Sequence, residues 1–208
     1  MDAYLNFATT LEGLKKLERF RGQYYWKDYA GPIKYESVAD HSWRLSMLVM
    51  MFADKLAQPF DVGRAVQLAV LHDTPEIICG DESPLGKAGT GEDSHAYNEI
   101  RKTEKLAKEE QAAKKLFSKL PPVENERLYG LWQESEANET FEARVVKALD
   151  KIEALLQVLE YRQGHMFPAH LEFTINYGLK YADVDPAIRA FGDMIAEEMR
   201  RKYKEFAI

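Results

Sequence analysis

The sequence has one cysteine, Cys79, so no internal disulfide can staple the core. It has no run of 18 apolar residues, and its start shows no basic segment followed by a long apolar one, so neither a helical membrane span nor a secretory leader is expected. Positive charge is scarce: 28 Lys and Arg stand against 34 Asp and Glu, a net charge of -6. That balance disfavours stable nucleic-acid binding, although a small basic pocket is compatible with it. Internal repeats, low-complexity tracts and stretches alternating every second residue are also lacking. These absences point to a cytoplasmic protein with no membrane partner, the reducing compartment being inferred from the lone cysteine.

What is present is helical periodicity. With 46% hydrophobic residues, the 208-residue chain has enough apolar material for one substantial core, predicting a single all-α domain over 1–208 with seven or so helices. Leu5, Leu11, Leu14 and Leu17 predict a first amphipathic helix ending near Gly22. Gly31, Pro32 and the aromatics before them predict an irregular loop. Ser37 with Asp40 predicts a capped second helix to Leu56, and Asp61 caps a third that ends near His72. A long charged helix is predicted over Ala96 to Leu120, two more over Val123 to Glu134 and Glu139 to Arg162, then a loop around Pro168 and an amphipathic segment from Pro186 through Phe206.

The stretch "AVLHDTPEIICGD" crowds His72, Asp73, Glu76 and Asp81 against the end of an apolar helix. Such groups are costly near a core unless they are paired. If the helix continues through Pro75, Glu76 shares a face with His72 and Asp73. Two donors seldom hold a metal firmly, so others are needed. His41 in "ESVADHSWRLSML" and Asp150 in "VVKALDKIEALLQVLEY" lie on packed helical faces and are relieved if they meet the same cation. Each has an ordinary alternative: a satisfied core histidine, an Asp150 ion pair with Lys147 or Lys151, a charged helix end.

An isolated His, a later His-Asp pair and a distant Asp resemble the HD-domain phosphohydrolases. The three blocks together look like the branch containing bacterial 5'-deoxynucleotidases and their eukaryotic relatives, with the catalytic blocks within 14–165 and a helical extension over 166–208. The resemblance implies one divalent metal held by His41, His72, Asp73 and Asp150. Two nitrogens and two oxygens suit Mn, Co, Fe or Zn better than Mg. It also implies Glu76 as general acid or base, Asp81 as a group positioning the nucleophile or a sugar hydroxyl, and Arg19 on phosphate with Phe20 against the sugar. Arg44 and Lys87 are further phosphate candidates, and Tyr24, Tyr25, Trp26 and Tyr29 border the pocket or anchor a loop.

The activity implied is hydrolysis of (deoxy)nucleoside 5'-monophosphates to nucleoside and phosphate, by a homodimer. The alternatives are a deoxynucleoside triphosphate triphosphohydrolase, which needs more cations than Arg19, Arg44 and Lys87 supply, and a nucleotide-binding module without catalysis.

Overall fold

A computed structural model describes residues 1–21, 24–25, 30–160, 162–163 and 166–204. Its elements are helical apart from one two-residue pairing among the described residues: β1 (Tyr24–Tyr25) runs antiparallel to β2 (Arg162–Gln163). The helices are α1 (Asp2–Thr10), α2 (Val38–Phe52), α3 (Val62–Leu71), α4 (Glu76–Cys79), α5 (Glu99–Phe117), α6 (Pro122–Ala137), α7 (Phe141–Glu160), α8 (Pro168–Gly178) and α9 (Pro186–Lys204). The all-α expectation holds, and no helix among the described residues is long and apolar enough to cross a membrane.

Helix α2 starts where its cap dictates. The Asp40 amide donates to Ser37 Oγ at 3.1 Å, the Ser37 amide donates back to the Asp40 carboxylate at 3.0 Å, and the first turn is closed on both sides. Asp61 caps α3 through the Arg64 amide at 2.9 Å. α3 stops at Leu71 because Pro75 offers no amide and disfavours helical geometry in the residue before it. The chain makes a tight turn there and restarts as α4, which ends at Gly80 with φ +82°. The third helix ends next to His72 as the sequence predicts, and the conditional continuation through Pro75 is not taken: a separate short helix follows.

α7 is the central element, burying Val145, Leu149, Ile152 and Leu155 against α2, α3, α6, α8 and α9. These join Leu45, Val49 and Leu68 in the main core, where truncating a Leu or Ile to Ala costs about 2–5 kcal/mol. α8 approaches so closely that a Cβ on Gly178 would lie 2.4 Å from Leu155 Cγ. A second cluster, Ala113, Leu116, Phe117 and Trp132, joins α5 to α6.

Two expectations are corrected. The first helix ends at Thr10, followed by a 3₁₀ turn over Leu11–Lys15. The Thr9 and Thr10 hydroxyls donate to carbonyls of the preceding turn, a local bond that competes with helix propagation. Pro168 opens α8 rather than a loop, because the first helical position needs no amide donor. Residues 205–208, including Phe206, lie outside the described residues.

Candidate metal centre

Three chain segments bring four side chains to one point. His41 lies one turn inside α2, on the face that also buries Val38 and Leu45. His72 caps the end of α3, in line with the buried Leu68 and Ala69, and Asp73 follows it. Asp150 lies on the buried face of α7 beside Val146 and Leu149. His41 Nε2 is 3.4 Å from His72 Nε2, 3.3 Å from Asp150 Oδ1 and 3.7 Å from Asp73 Oδ2. His72 Nε2 is 3.0 Å from Asp73 Oδ2 and 4.0 Å from Asp150 Oδ1.

These spacings test whether a cation fits. Two imidazole nitrogens about 2.0–2.1 Å from a tetrahedral metal are themselves about 3.4 Å apart, the separation seen here. The charge balance agrees. Burial raises the Asp73 carboxyl, but His72 and His41 outweigh it and hold the group well below the carboxylate range. For Asp150, burial is outweighed by Lys151 and the two imidazoles. Burial and Arg19 work against protonating His41, yet Glu153 and Asp150 prevail and push it up to about 9. The cluster favours positive charge, which a cation held there would supply in place of that proton.

Beside the donors is a cavity open to solvent. Asp73, Asp150, Arg19, Phe20, Glu76 and Asp81 form part of its wall. Glu76 is 4% exposed, and its Oε2 has no hydrogen-bond partner among the described residues. Burial, then the charges of Asp73 and Asp81, push its carboxyl well above the usual range. Arg19 NH1 donates to Glu36 at 2.8 Å and lies 3.4 Å from Glu153, while its Nε is buried with no partner among the described residues. The guanidinium carbon stands 5.1 Å over the Phe20 ring. Phe20 has φ +50°, and its amide donates to Asp81 at 3.3 Å.

Arg44 and Lys87 are not brought to this wall. Arg44 is drawn to carboxylates on α7: its Nε donates to Glu153 at 2.6 Å and its NH1 to Glu160. Lys87 belongs to a loop in which its amide donates to Asp93 at 3.0 Å. Trp26 and Tyr29, with the side chains of Tyr24 and Tyr25, lie outside the described residues.

The HD domain family matches residues 25–191. The chain belongs to that family. Its HD sequence is 35% identical to the Homo sapiens 5'-deoxynucleotidase HDDC2 over 137 residues, 66% of this chain and 60% of that protein. It is 32% identical to the Schizosaccharomyces pombe 5'-deoxynucleotidase hdd1 over 139 residues, 65% of this chain and 63% of that one. The matched region thus spans about 60% of the length of these curated relatives. A crystal structure named as a predicted metal-dependent phosphohydrolase from Magnetospirillum magnetotacticum shares the fold with a TM-score of 0.72 at 24% identity, covering 97% and 96% of the two chains. A cyanophage HD phosphohydrolase, bound to dA and one catalytic zinc ion, shares it with a TM-score of 0.57 at 18% identity.

Several residues around the HD centre were not singled out from sequence. Lys105 and Glu109 on α5 form an ion pair at the cavity wall, on a helix whose charges predict only a solvated surface. Lys151, which the sequence offered as an ion-pair partner of Asp150, does pair with it at 2.9 Å, and it also reaches the cavity, which the sequence did not indicate. His95 lines the cavity, and its pKa is lowered to about 3 by burial and by Lys105, Lys151 and Lys147. α8, beyond the recognised blocks, contributes Phe173, Thr174 and Tyr177. Glu153, fully buried, hydrogen-bonds His41 Nδ1. Its signal was present: a carboxylate one turn beyond Asp150 on the same apolar face.

Proposed function

We propose that this HD protein is a metal-dependent phosphomonoester hydrolase that converts (deoxy)nucleoside 5'-monophosphates to nucleoside and phosphate. The observation carrying this reading is the convergence of His41, His72, Asp73 and Asp150 at the wall of an open cavity that also holds Glu76, a buried carboxyl with a raised pKa. The relatives named as 5'-deoxynucleotidases support the substrate class.

His41, His72, Asp73 and Asp150 would hold the metal, and their mixed nitrogen and oxygen set favours Mn, Co, Fe or Zn over Mg. Bound there, such a cation would supply Lewis-acid chemistry, lowering the pKa of water and drawing charge from the phosphoryl oxygens. The protein's own groups do the rest. Arg19 offers its unpartnered Nε to a phosphoryl oxygen, with NH1 anchored on Glu36. Glu76, kept protonated by burial, gives its proton to the departing 5' oxygen as the phosphorus–oxygen bond breaks. The attacking water forms the new bond to phosphorus and returns a proton to Glu76. Phe20 borders the sugar, and Asp81 fixes the Phe20 backbone.

The wall favours one phosphate over three. Of its cations, Lys105 pairs with Glu109, Lys151 with Asp150 and Arg19 with Glu36, which leaves Lys147, and Glu82 and Glu136 add negative charge. We further read the protein as a cytoplasmic homodimer. The single cysteine supports the compartment, and the exposed Trp43, Met47 and Met50, at helical spacing on α2, support self-association.

The test is phosphate release from a panel of deoxy- and ribonucleoside 5'-monophosphates by protein loaded with Co, Mn or Zn. Release absent in a His72→Ala control supports the reading. Triphosphate released from dATP would favour the triphosphohydrolase, and binding without turnover would favour the non-catalytic module.

A further inference from the structure

Glu153 does not touch the cavity, yet it is a fully buried carboxylate with three cationic or donor partners. Its Oε2 faces His41 Nδ1 in a hydrogen bond and lies 3.4 Å from Arg19 NH1, and its Oε1 accepts from Arg44 Nε at 2.6 Å. Burying so many charges is costly, and such a group often gives no net stability over an apolar substitute. What it does fix is the state of an imidazole.

A neutral histidine carries one N–H, and the partner of one nitrogen decides the role of the other. An ionised carboxylate only accepts, so the His41 proton is drawn to Nδ1. Nε2, the atom facing His72, Asp73 and Asp150, is then left with its lone pair. The other tautomer would put a hydrogen into the donor cluster and a lone pair against Glu153. His72 reaches the same state by another route: its Nδ1 lies 2.9 Å from the Ala69 carbonyl, which also only accepts. One metal histidine is thus set by backbone and the other by Glu153.

We propose that Glu153 is a positioning residue of the metal centre, acting through His41 and held in place by Arg44. This inference rests on the metal reading above. Because Arg19 leans on the same carboxylate oxygen, Glu153 also ties the phosphate arginine to the metal histidine.

The experiment measures Co and Zn affinity by competition with a chromophoric chelator in the full chain. The variants are Glu153→Gln, Arg44→Lys, His41→Ala and the double variant Glu153→Gln with His41→Ala, and circular dichroism of the metal-free proteins checks the fold. Glu153→Gln is expected to bind about 10- to 100-fold more weakly, with Arg44→Lys between it and wild type. In the His41→Ala background the Gln substitution is expected to add no further loss. Long-range ¹H–¹⁵N spectra of zinc-loaded wild type require no variant, and are expected to show His41 protonated at Nδ1 and ligating through Nε2. Wild-type affinity in Glu153→Gln, an equal loss in the His41→Ala background, or ligation through Nδ1 would overturn the proposal. His72→Ala separates the two levels: if it abolishes binding while Glu153→Gln leaves it intact, only the role of Glu153 fails. If wild type itself binds no metal, both readings fail.

Discussion

Lys151 Nζ lies 2.9 Å from Asp150 Oδ2, while the other oxygen of the same carboxylate lies 3.3 Å from His41 Nε2. Asp150 is thereby divided between a fixed lysine and the donor cluster, and its orientation is set before any ligand arrives. The lysine in turn lies 5.6 Å from the centroid of the Tyr177 ring, which links the centre to α8.

Replacing Lys151 by Met leaves Asp150 without its ammonium partner. The metal-free protein is expected to lose about 1–3 kcal/mol, since Lys151 is partly exposed and the pair is not fully desolvated. Metal should restore more stability to Lys151→Met than to wild type, because a cation then neutralises Asp150. Thermal melts with and without Co measure both quantities; an equal metal-induced rise in the two proteins would contradict the pairing argument.

Glu76→Gln removes the proposed proton donor but keeps the shape. The turnover rate should fall about 10²- to 10⁴-fold with metal affinity retained. The sign of the pH effect follows from the raised pKa: the protonated carboxyl acts, so wild-type activity declines as pH rises through that value. The Gln variant should lack this decline. A pH–rate profile of both proteins checks it.

Phe20 adopts a left-handed backbone, a conformation costing about 1–2 kcal/mol in a residue with a side chain. Its amide bond to Asp81 helps to hold it there. Asp81→Ala should lower stability by about 1–2 kcal/mol and raise KM, whereas Asp81→Asn, which keeps an acceptor, should retain the stability. Urea melts of the metal-free variants distinguish the two.

His95 is held neutral, its pKa lowered to about 3 by burial and by Lys105, Lys151 and Lys147. In the unfolded chain a histidine takes a proton below about pH 6.5, so between 6.5 and 3 the unfolded state binds more protons and stability falls with pH. His95→Gln should therefore lose less stability than wild type between pH 7 and 5. In wild type, the His95 ring resonances should not move between pH 8 and 5; a midpoint near 6.5 in an NMR titration would refute the burial argument.

The four proposed metal donors were legible because His41 and Asp150 interrupt apolar helical stripes and His72 and Asp73 crowd the end of one, where unpaired groups are costly, and because they fall in three ordered blocks. Glu153 met the first condition and lies in the same block as Asp150, but the ligand pattern of that block is carried by its aspartate alone, and only the fold shows that Glu153 reaches the far nitrogen of His41. Lys105 and Glu109 were hidden for the opposite reason: on a helix charged on most faces, periodicity does not say which face a cavity touches. Arg44 has the right chemistry for phosphate, but Glu153 and Glu160 on a helix distant in sequence draw it away from the cavity wall. The capping box at Ser37, the Asp61 cap and the stop before Pro75 are local, and the starts of α2 and α3 and the end of α3 follow from them. At Pro168 the same residue type marks a helix start, and only the packing of α8 on α7 distinguishes that from a break.

The most direct test of the central claim is anomalous diffraction from crystals soaked in cobalt, recorded at the cobalt edge. The account predicts a single strong peak within about 2.0–2.2 Å of His41 Nε2, His72 Nε2 and one oxygen each of Asp73 and Asp150, lost in Asp150→Ala. A peak elsewhere, or none at that point in the wild-type protein, would contradict it.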